Sequence, residues 1–359
     1  MPASPGLDAA RLRRVLVVKL SSLGDVVHSL PLLDALRDGL GPDAHIGWAV
    51  ERRFADLVRG NPNVSALYEL DKKGFREVRD LGRRLREAGF DAALDAQGLL
   101  VSGAVARLSG APVRVGWDAN REGNRLFLTH PVVPYSGRRH VTARLLGFCD
   151  ALGLARTPPR PQTYLANAEA TAADALLAEV RGGPIIGCIV GASTADKVWP
   201  AERWAEAARL LAADGLRVAL LGAKGEAATA ANIVQQAGPS AGVTNLVGRT
   251  ATPRVLASVL ARCAVVVGGD SGPTHLAVAV GTPVVGLYGV TDPERTGPQW
   301  GPASAVVLDF AEADAPPAAR RPRHATLPDA LARIPAAAVR DAVRSLLGAP
   351  SPQGTGGDI

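Results

Sequence analysis

The chain has 359 residues, 47% hydrophobic and 21% charged, with a formal net charge of +6. Such a chain exceeds one ordinary domain and has enough apolar residues for real cores, which excludes a disordered protein. The positive charge favours phosphate-bearing partners. However, aromatic residues make up only 4%, and no aromatic–basic pattern of an RNA-binding module accompanies the charge, so nucleic acid is not an expected partner.

In chain order, the first apolar run is Val15-Leu16-Val17-Val18. It is too short for a signal peptide and lacks a small-residue cleavage site, so it reads as a buried strand. A turn, Ser21-Ser22-Leu23-Gly24, follows. Asp25 then opens a helix carrying Val26, Val27, Leu30, Leu33 and Leu36 at helical spacing. Further strands are expected over 45–50, 66–70, 92–96 and 113–117. The Pro-rich stretch 156–161 reads as a linker and 169–180 as a helix. A second series of strands runs through 185–190, 218–221, 265–267 and 284–288. Helices over 328–347 close the fold, and 348–359 is expected to be a disordered tail. Cys149, Cys188 and Cys263 lie far apart without metal-ligand spacing, as suits buried apolar thiols in a reducing cytosol. No apolar run approaches the ~18 residues that span a bilayer, so any lipid would be met from the cytoplasmic surface.

Strands alternating with helices imply parallel sheets. The expected fold is therefore α/β: two Rossmann-like doubly wound domains, 1–160 and 161–347, facing a central cleft. The last helix is able to pack back on the first domain.

Ligands of such sheets bind outside the carboxyl ends of the strands. Asp25 stands at one such end as a candidate catalytic carboxylate, although an Asp at a helix start is also a favoured N-cap. A dinucleotide fingerprint is absent there, since only Gly24 of the required glycines is present. After residue 190, the loop with Ser193, Thr194 and Lys197 offers two hydroxyls and an ammonium, which suit a diphosphate but also resemble an ordinary cap. The segment Gly268-Gly269-Asp270-Ser271-Gly272-Pro273-Thr274-His275 is a turn into a helix with a small-residue start. It is a candidate anion site beside Asp270, with helix capping by Asp270 or Ser271 as the plainer reading. Glu226, after Gly222-Ala223-Lys224-Gly225, is placed to reach a ribose. No D-x-D pair of metal ligands appears, so the candidate site has no metal and no cofactor.

Four motifs together resemble glycosyltransferase family 9, the bacterial heptosyltransferases. They are 19–31 (Lys19-Leu20-Ser21-Ser22-Leu23-Gly24-Asp25 onward), 95–99 (Asp95-Ala96-Gln97-Gly98-Leu99), 196–200 (Asp196-Lys197-x-Trp199-Pro200) and 269–277. The resemblance runs from about Arg14 to about Gly301, and the Ser-Ser-x-Gly-Asp form is closest to lipopolysaccharide heptosyltransferase I. It implies the GT-B arrangement, with an acceptor-binding N-terminal domain and a nucleotide-sugar-binding C-terminal domain. It further implies inverting transfer of L-glycero-D-manno-heptose from ADP-heptose to the Kdo-lipid A inner core, in the cytoplasm with peripheral contact to the inner membrane. Asp25 would be the general base. Ser193, Thr194, Lys197, Glu226, Asp270, Ser271, Gly272, Pro273, Thr274 and His275 would bind the donor, and Ser22, Gly24, Lys72, Lys73, Gln97, Arg121, His140 and Arg144 the acceptor. This chain departs from the family at Ala192, where a second hydroxyl is common. The alternatives are a type II or other surface-glycan heptosyltransferase, a sugar-nucleotide epimerase of the same fold, and a non-catalytic nucleotide-binding protein.

Overall fold

The structure, a computed structural model, describes residues 7, 9–71, 74–134, 140–180, 182–301, 303–309 and 330–348. Its contacts divide the chain into two units, Met1–Arg160 and Pro161–Ile359. The division falls inside the Pro-rich stretch.

The first unit has six parallel strands: β1 (Arg14–Val18), β2 (His45–Glu51), β3 (Ala66–Leu70), β4 (Ala92–Asp95), β5 (Val113–Trp117) and β6 (His130–Val133). Their order is β3-β2-β1-β4-β5-β6. The second unit has β7 (Ile185–Ile189), β8 (Arg217–Leu221), β9 (Val243–Asn245), β10 (Val265–Gly269), β11 (Val284–Tyr288) and β12 (Ala305–Asp309), in the order β12-β11-β10-β7-β8-β9. Both sheets are therefore wound alike: each unit's first strand sits beside its fourth, and the winding reverses there. The central strands are continuous apolar runs because helices cover both faces. Val15 to Val18 and Val265 to Val267 are all fully buried.

Strands β6, β9 and β12 were not expected from the sequence, and all three are sheet edges. β9 is only Val-Thr-Asn, β12 is half-buried throughout its apolar part, and β6 contains Pro131, which an edge tolerates because one side of an edge strand makes no ladder bonds. The expected single helix after Asp25 is instead two, Leu23–His28 and Leu30–Leu40. Pro31 cannot donate a backbone bond and collides with the preceding turn. The chain therefore breaks at Ser29, whose hydroxyl donates to the Asp25 carbonyl at 2.8 Å.

The last helix, Ala336–Gly348, packs on the second unit. Val339 and Val343 join the core of Trp199, Trp204 and Ala208, and Arg340 makes a bidentate ion pair with Asp214. Trp199 Nε1 donates to the Ile334 carbonyl at 3.3 Å and closes the same contact. Gly348 ends that helix, and the remainder of the expected tail, 349–359, lies outside the described residues. Among the described residues, no helix is long and apolar enough to cross a membrane.

Candidate active site

In the first unit the chemistry gathers where β1 and β4 lie side by side. The chain leaves β1 through Lys19 to Ser22 and enters the helix Leu23–His28. Ser22, not Asp25, is its N-cap; the Ser21–Ser22 peptide is cis. Asp25 is the third helical residue. Its Oδ2 accepts from the Ser22 amide at 3.2 Å and from the Ser22 hydroxyl at 2.8 Å, one half of a capping box. Its Oδ1 lies 3.8 Å from Lys19 Nζ. The carboxylate side chain is 46% exposed and the lysine 6%. Gly24 occupies the helix's first turn.

The β4 side supplies a rigid counterpart. Asp95 is fully buried and accepts from the Gly98 amide at 2.9 Å and from Asn124 Nδ2 at 3.4 Å. Burial raises its pKa, and the hydrogen bonds of Gly98, Ser102 and Asn124 oppose that rise. The turn that Asp95 holds needs a glycine: Gly98 has φ +73°, and a Cβ there would strike the Trp117 indole. Gln97 in that turn accepts the Ser21 amide at 3.2 Å, and Lys19 Nζ donates to the Ala96 carbonyl at 3.3 Å. Two bonds thus tie the loop after β1 to the loop after β4.

His140 caps the helix Val141–Leu145, its Nδ1 accepting from the Thr142 amide at 3.2 Å. The Thr142 hydroxyl bonds His28 Nδ1 at 3.1 Å, and the two imidazoles meet edge to face at 5.7 Å. The charges of Arg121 and Arg144 both act on Lys19. Ser22 and Gly24 thus lie on the same turn as Asp25, Gln97 bonds the preceding Ser21, and Arg121, Arg144 and His140 reach the neighbouring Lys19 and His28. Lys72 and Lys73 lie outside the described residues.

In the second unit the corresponding place is the junction of β7 and β10. Lys197 ends the turn Ala195–Lys197 and donates to Asp270 Oδ2 at 2.9 Å, across the junction. His275 Nε2 bonds Asp270 Oδ1 at 3.1 Å. Burial alone would raise the pKa of Asp270, but the hydrogen bonds and charges of His275 and Lys197 outweigh it and hold the carboxyl below its ordinary range. Here the aspartate is the buried member, 8% exposed against 22% for the lysine.

Gly268 and Gly269 make this closeness possible. A Cβ on Gly269 would lie 2.8 Å from the Lys197 carbonyl, and one on Gly268 would lie 2.5 Å from the Thr274 hydroxyl. Ser271 stands at the N-cap of the helix Gly272–Ala279, but its hydroxyl bonds Thr274 Oγ1 at 3.0 Å and no side chain caps the first turn. With Pro273 lacking an N–H, that turn presents backbone amides and a positive dipole end to an anion. Ser193 and Thr194 are exposed on the neighbouring loop. Glu226 lies across Gly191 and Gly222, at the carboxyl ends of β7 and β8, with Oε2 buried and unbonded. Among the described residues, no group of three His, Cys, Asp or Glu side chains is arranged to hold a metal ion.

Sequence reasoning left Lys19 without a role and missed the Thr142 bridge between the two histidines. Lys19 had a signal, since a lysine directly following Val15-Leu16-Val17-Val18 sits where an apolar residue would extend the strand. Thr142 had none, because its partner is 114 positions away.

Two doubly wound α/β units in tandem are the arrangement of the GT-B fold. The family model of glycosyltransferase family 9 (heptosyltransferase) matches residues 78–322. The lipopolysaccharide heptosyltransferase 1 of Pseudomonas aeruginosa is 31% identical over 307 residues, covering 79% of this chain and 81% of that protein. The structure of the E. coli heptosyltransferase WaaC with ADP superposes with a TM-score of 0.68 at 27% identity, covering 92% of this chain and 97% of that one. The E. coli ADP-heptose lps heptosyltransferase II superposes with a TM-score of 0.75 at 25% identity, covering 93% and 98%. The chain belongs to glycosyltransferase family 9, the heptosyltransferases, and is a glycosyltransferase of lipopolysaccharide synthesis.

Proposed function

We propose that this enzyme is a type I heptosyltransferase, moving L-glycero-D-manno-heptose from ADP-heptose to the Kdo-lipid A inner core with inversion. The observation that supports this most is the half-exposed carboxylate of Asp25, oriented by Ser22 and Lys19 in the unit whose neighbouring cations, Arg121 and Arg144, suit an anionic acceptor. Asp25 removes the proton from the acceptor hydroxyl as that oxygen attacks C1 of the heptose. ADP departs from the opposite face, so one bond forms as the other breaks and the anomeric centre inverts.

The charge growing on ADP is met by Lys197, by the hydroxyls of Ser193 and Thr194, and by the first amides of the helix Gly272–Ala279. An ammonium has three donors, so Lys197 keeps Asp270 while reaching a phosphate oxygen. Asp270 retains lone pairs for the heptose hydroxyls even with Lys197 and His275 in place. The orphaned Oε2 of Glu226 is an acceptor waiting for a donor, which a ribose hydroxyl would supply. Gln97, Arg121, His140 and Arg144, with Lys72 and Lys73, bind the acceptor's phosphates and carboxylates. The enzyme works at the cytoplasmic face of the inner membrane, in peripheral contact with it.

The decisive assay offers ADP-heptose with Kdo-lipid A and, separately, with an already heptosylated acceptor. Transfer to the first, with an inverted anomeric configuration by NMR, is expected. Transfer only to the second would make the enzyme type II. Isomerisation of free ADP-heptose without any acceptor would make it an epimerase.

A further inference from the structure

We propose that Lys19 is the positioning residue of the site: its buried ammonium, with Ser22, holds the Asp25 carboxylate ionised and aimed for proton removal. This rests on the reading of Asp25 as the general base. A lysine only 5% exposed is a poor choice for packing, since burying a charge is unfavourable unless it is compensated. An apolar chain would simply extend the strand Val15 to Val18. The backbone of Lys19 is fixed on both sides, its amide donating to the Ala49 carbonyl at 3.1 Å and its carbonyl accepting from Trp48 Nε1 at 3.0 Å. That anchoring sends the side chain to the Ala96 carbonyl and to Asp25 Oδ1. Ser22 holds the other oxygen, Oδ2.

The alternative employment of Lys19, neutralising Asp95, is weaker. Asp95 already takes hydrogen bonds from Gly98, Ser102 and Asn124. The charged groups that act on Lys19 are Asp25, Asp95, Arg121 and Arg144. Burial and the two arginines lower its pKa, and the two aspartates oppose them. Asp25 is the more exposed of the two carboxylates, its side chain 46% exposed while Asp95 is fully buried, so Lys19 approaches it from the buried side. The sign follows directly: a neighbouring positive charge favours the ionised carboxylate, so removing it raises the pKa of Asp25.

The test is the titration of the Asp25 carboxyl by carbon-13 NMR, assigned with Asp25→Asn, in the parent, Lys19→Met, Lys19→Gln and Lys19→Arg. Thermal melting and ADP binding, which reports on the second unit, serve as folding controls. Two neutral substitutions guard against one that fails to fold. In the neutral variants Asp25 is expected to titrate about one pH unit higher than in the parent, and in Lys19→Arg within a few tenths of it. The acid limb of the transfer rate should move up by the same amount. Asp25 titrating at the parental pH in a folded neutral variant overturns the proposal, whatever the rate does. If Asp25→Asn transfers heptose normally, the base assignment fails, while the titration still reports separately whether Lys19 governs the carboxyl.

Discussion

The two units share one winding and place a lysine–aspartate pair at the same point in it, yet the pairs are turned opposite ways. In the first unit the lysine is buried and Asp25 faces out, 46% against 6% exposed at 3.8 Å. In the second, Asp270 is buried and Lys197 is the more open member, 8% against 22% at 2.9 Å. The outward member is the one able to meet a ligand, and the inward member tunes it. One unit thus presents a negative group suited to taking a proton. The other presents a positive group suited to a diphosphate. The lesson is that a common scaffold sets where charge is placed, while the burial of one partner decides its sign toward the ligand.

The largest expected effect tests the outward carboxylate. Asp25→Asn removes the base but keeps an oxygen for Ser22, so the helix start survives. Transfer is expected to fall roughly 10²–10⁴-fold in kcat. ADP binding by calorimetry should stay unchanged, because Lys197 and Asp270 are untouched. A rate within a few-fold of the parent would break the comparison by making Asp25 a purely structural member of the capping box.

The outward ammonium should give a different signature. Lys197→Ala is expected to weaken ADP binding about tenfold or more and to lower kcat/KM on the order of 10²-fold, since a charge-assisted contact to the diphosphate is lost. If ADP binding is unaffected while turnover collapses, Lys197 serves only to order Asp270, and the two pairs are less opposite than their exposures suggest.

How much of this was legible in the sequence differs between the two levels of structure. The eight central strands announced themselves as apolar runs because burial on both faces demands it, and the edge strand β3 was expected with them, whereas the edges β6, β9 and β12 carry no such demand. The break at Ser29 was readable in principle from Pro31, but the apolar spacing through Leu36 argued for continuity. Asp25, Lys197 and Asp270 were singled out because loops at strand carboxyl ends are where chemistry gathers. Which member of each pair is buried was not legible: exposure depends on what covers the site, as with Trp48 and Ala49 over the backbone of Lys19.

A smaller change sharpens the donor side. Ala192 lies in the loop between β7 and Lys197, beside Ser193 and Thr194. Ala192→Ser adds a third hydroxyl to this loop. One added hydrogen bond contributes on the order of 1 kcal/mol, so ADP affinity should rise about fivefold. Unchanged or weaker affinity would mean that the side chain at this position does not face the diphosphate.

The smallest expected effect is none at all, and it bears on the opposed polarity of the pairs. If the second unit turns its lysine outward to neutralise the diphosphate, a divalent cation has no role to fill there. The loops offer Lys197, Ser193, Thr194 and the uncapped start of the helix Gly272–Ala279, but no D-x-D carboxylates to carry an ion. Asp270, the acidic group at hand, already has its charge balanced by Lys197, and an arriving cation would be repelled by that ammonium. Transfer measured in excess EDTA should therefore equal transfer in magnesium to within about twofold, and ADP should bind equally well in both, since the charge it needs is supplied by the chain. Activity lost in EDTA and restored by magnesium would show that the ammonium alone does not balance the leaving group. The exposure of Lys197 would then have to serve something other than the diphosphate.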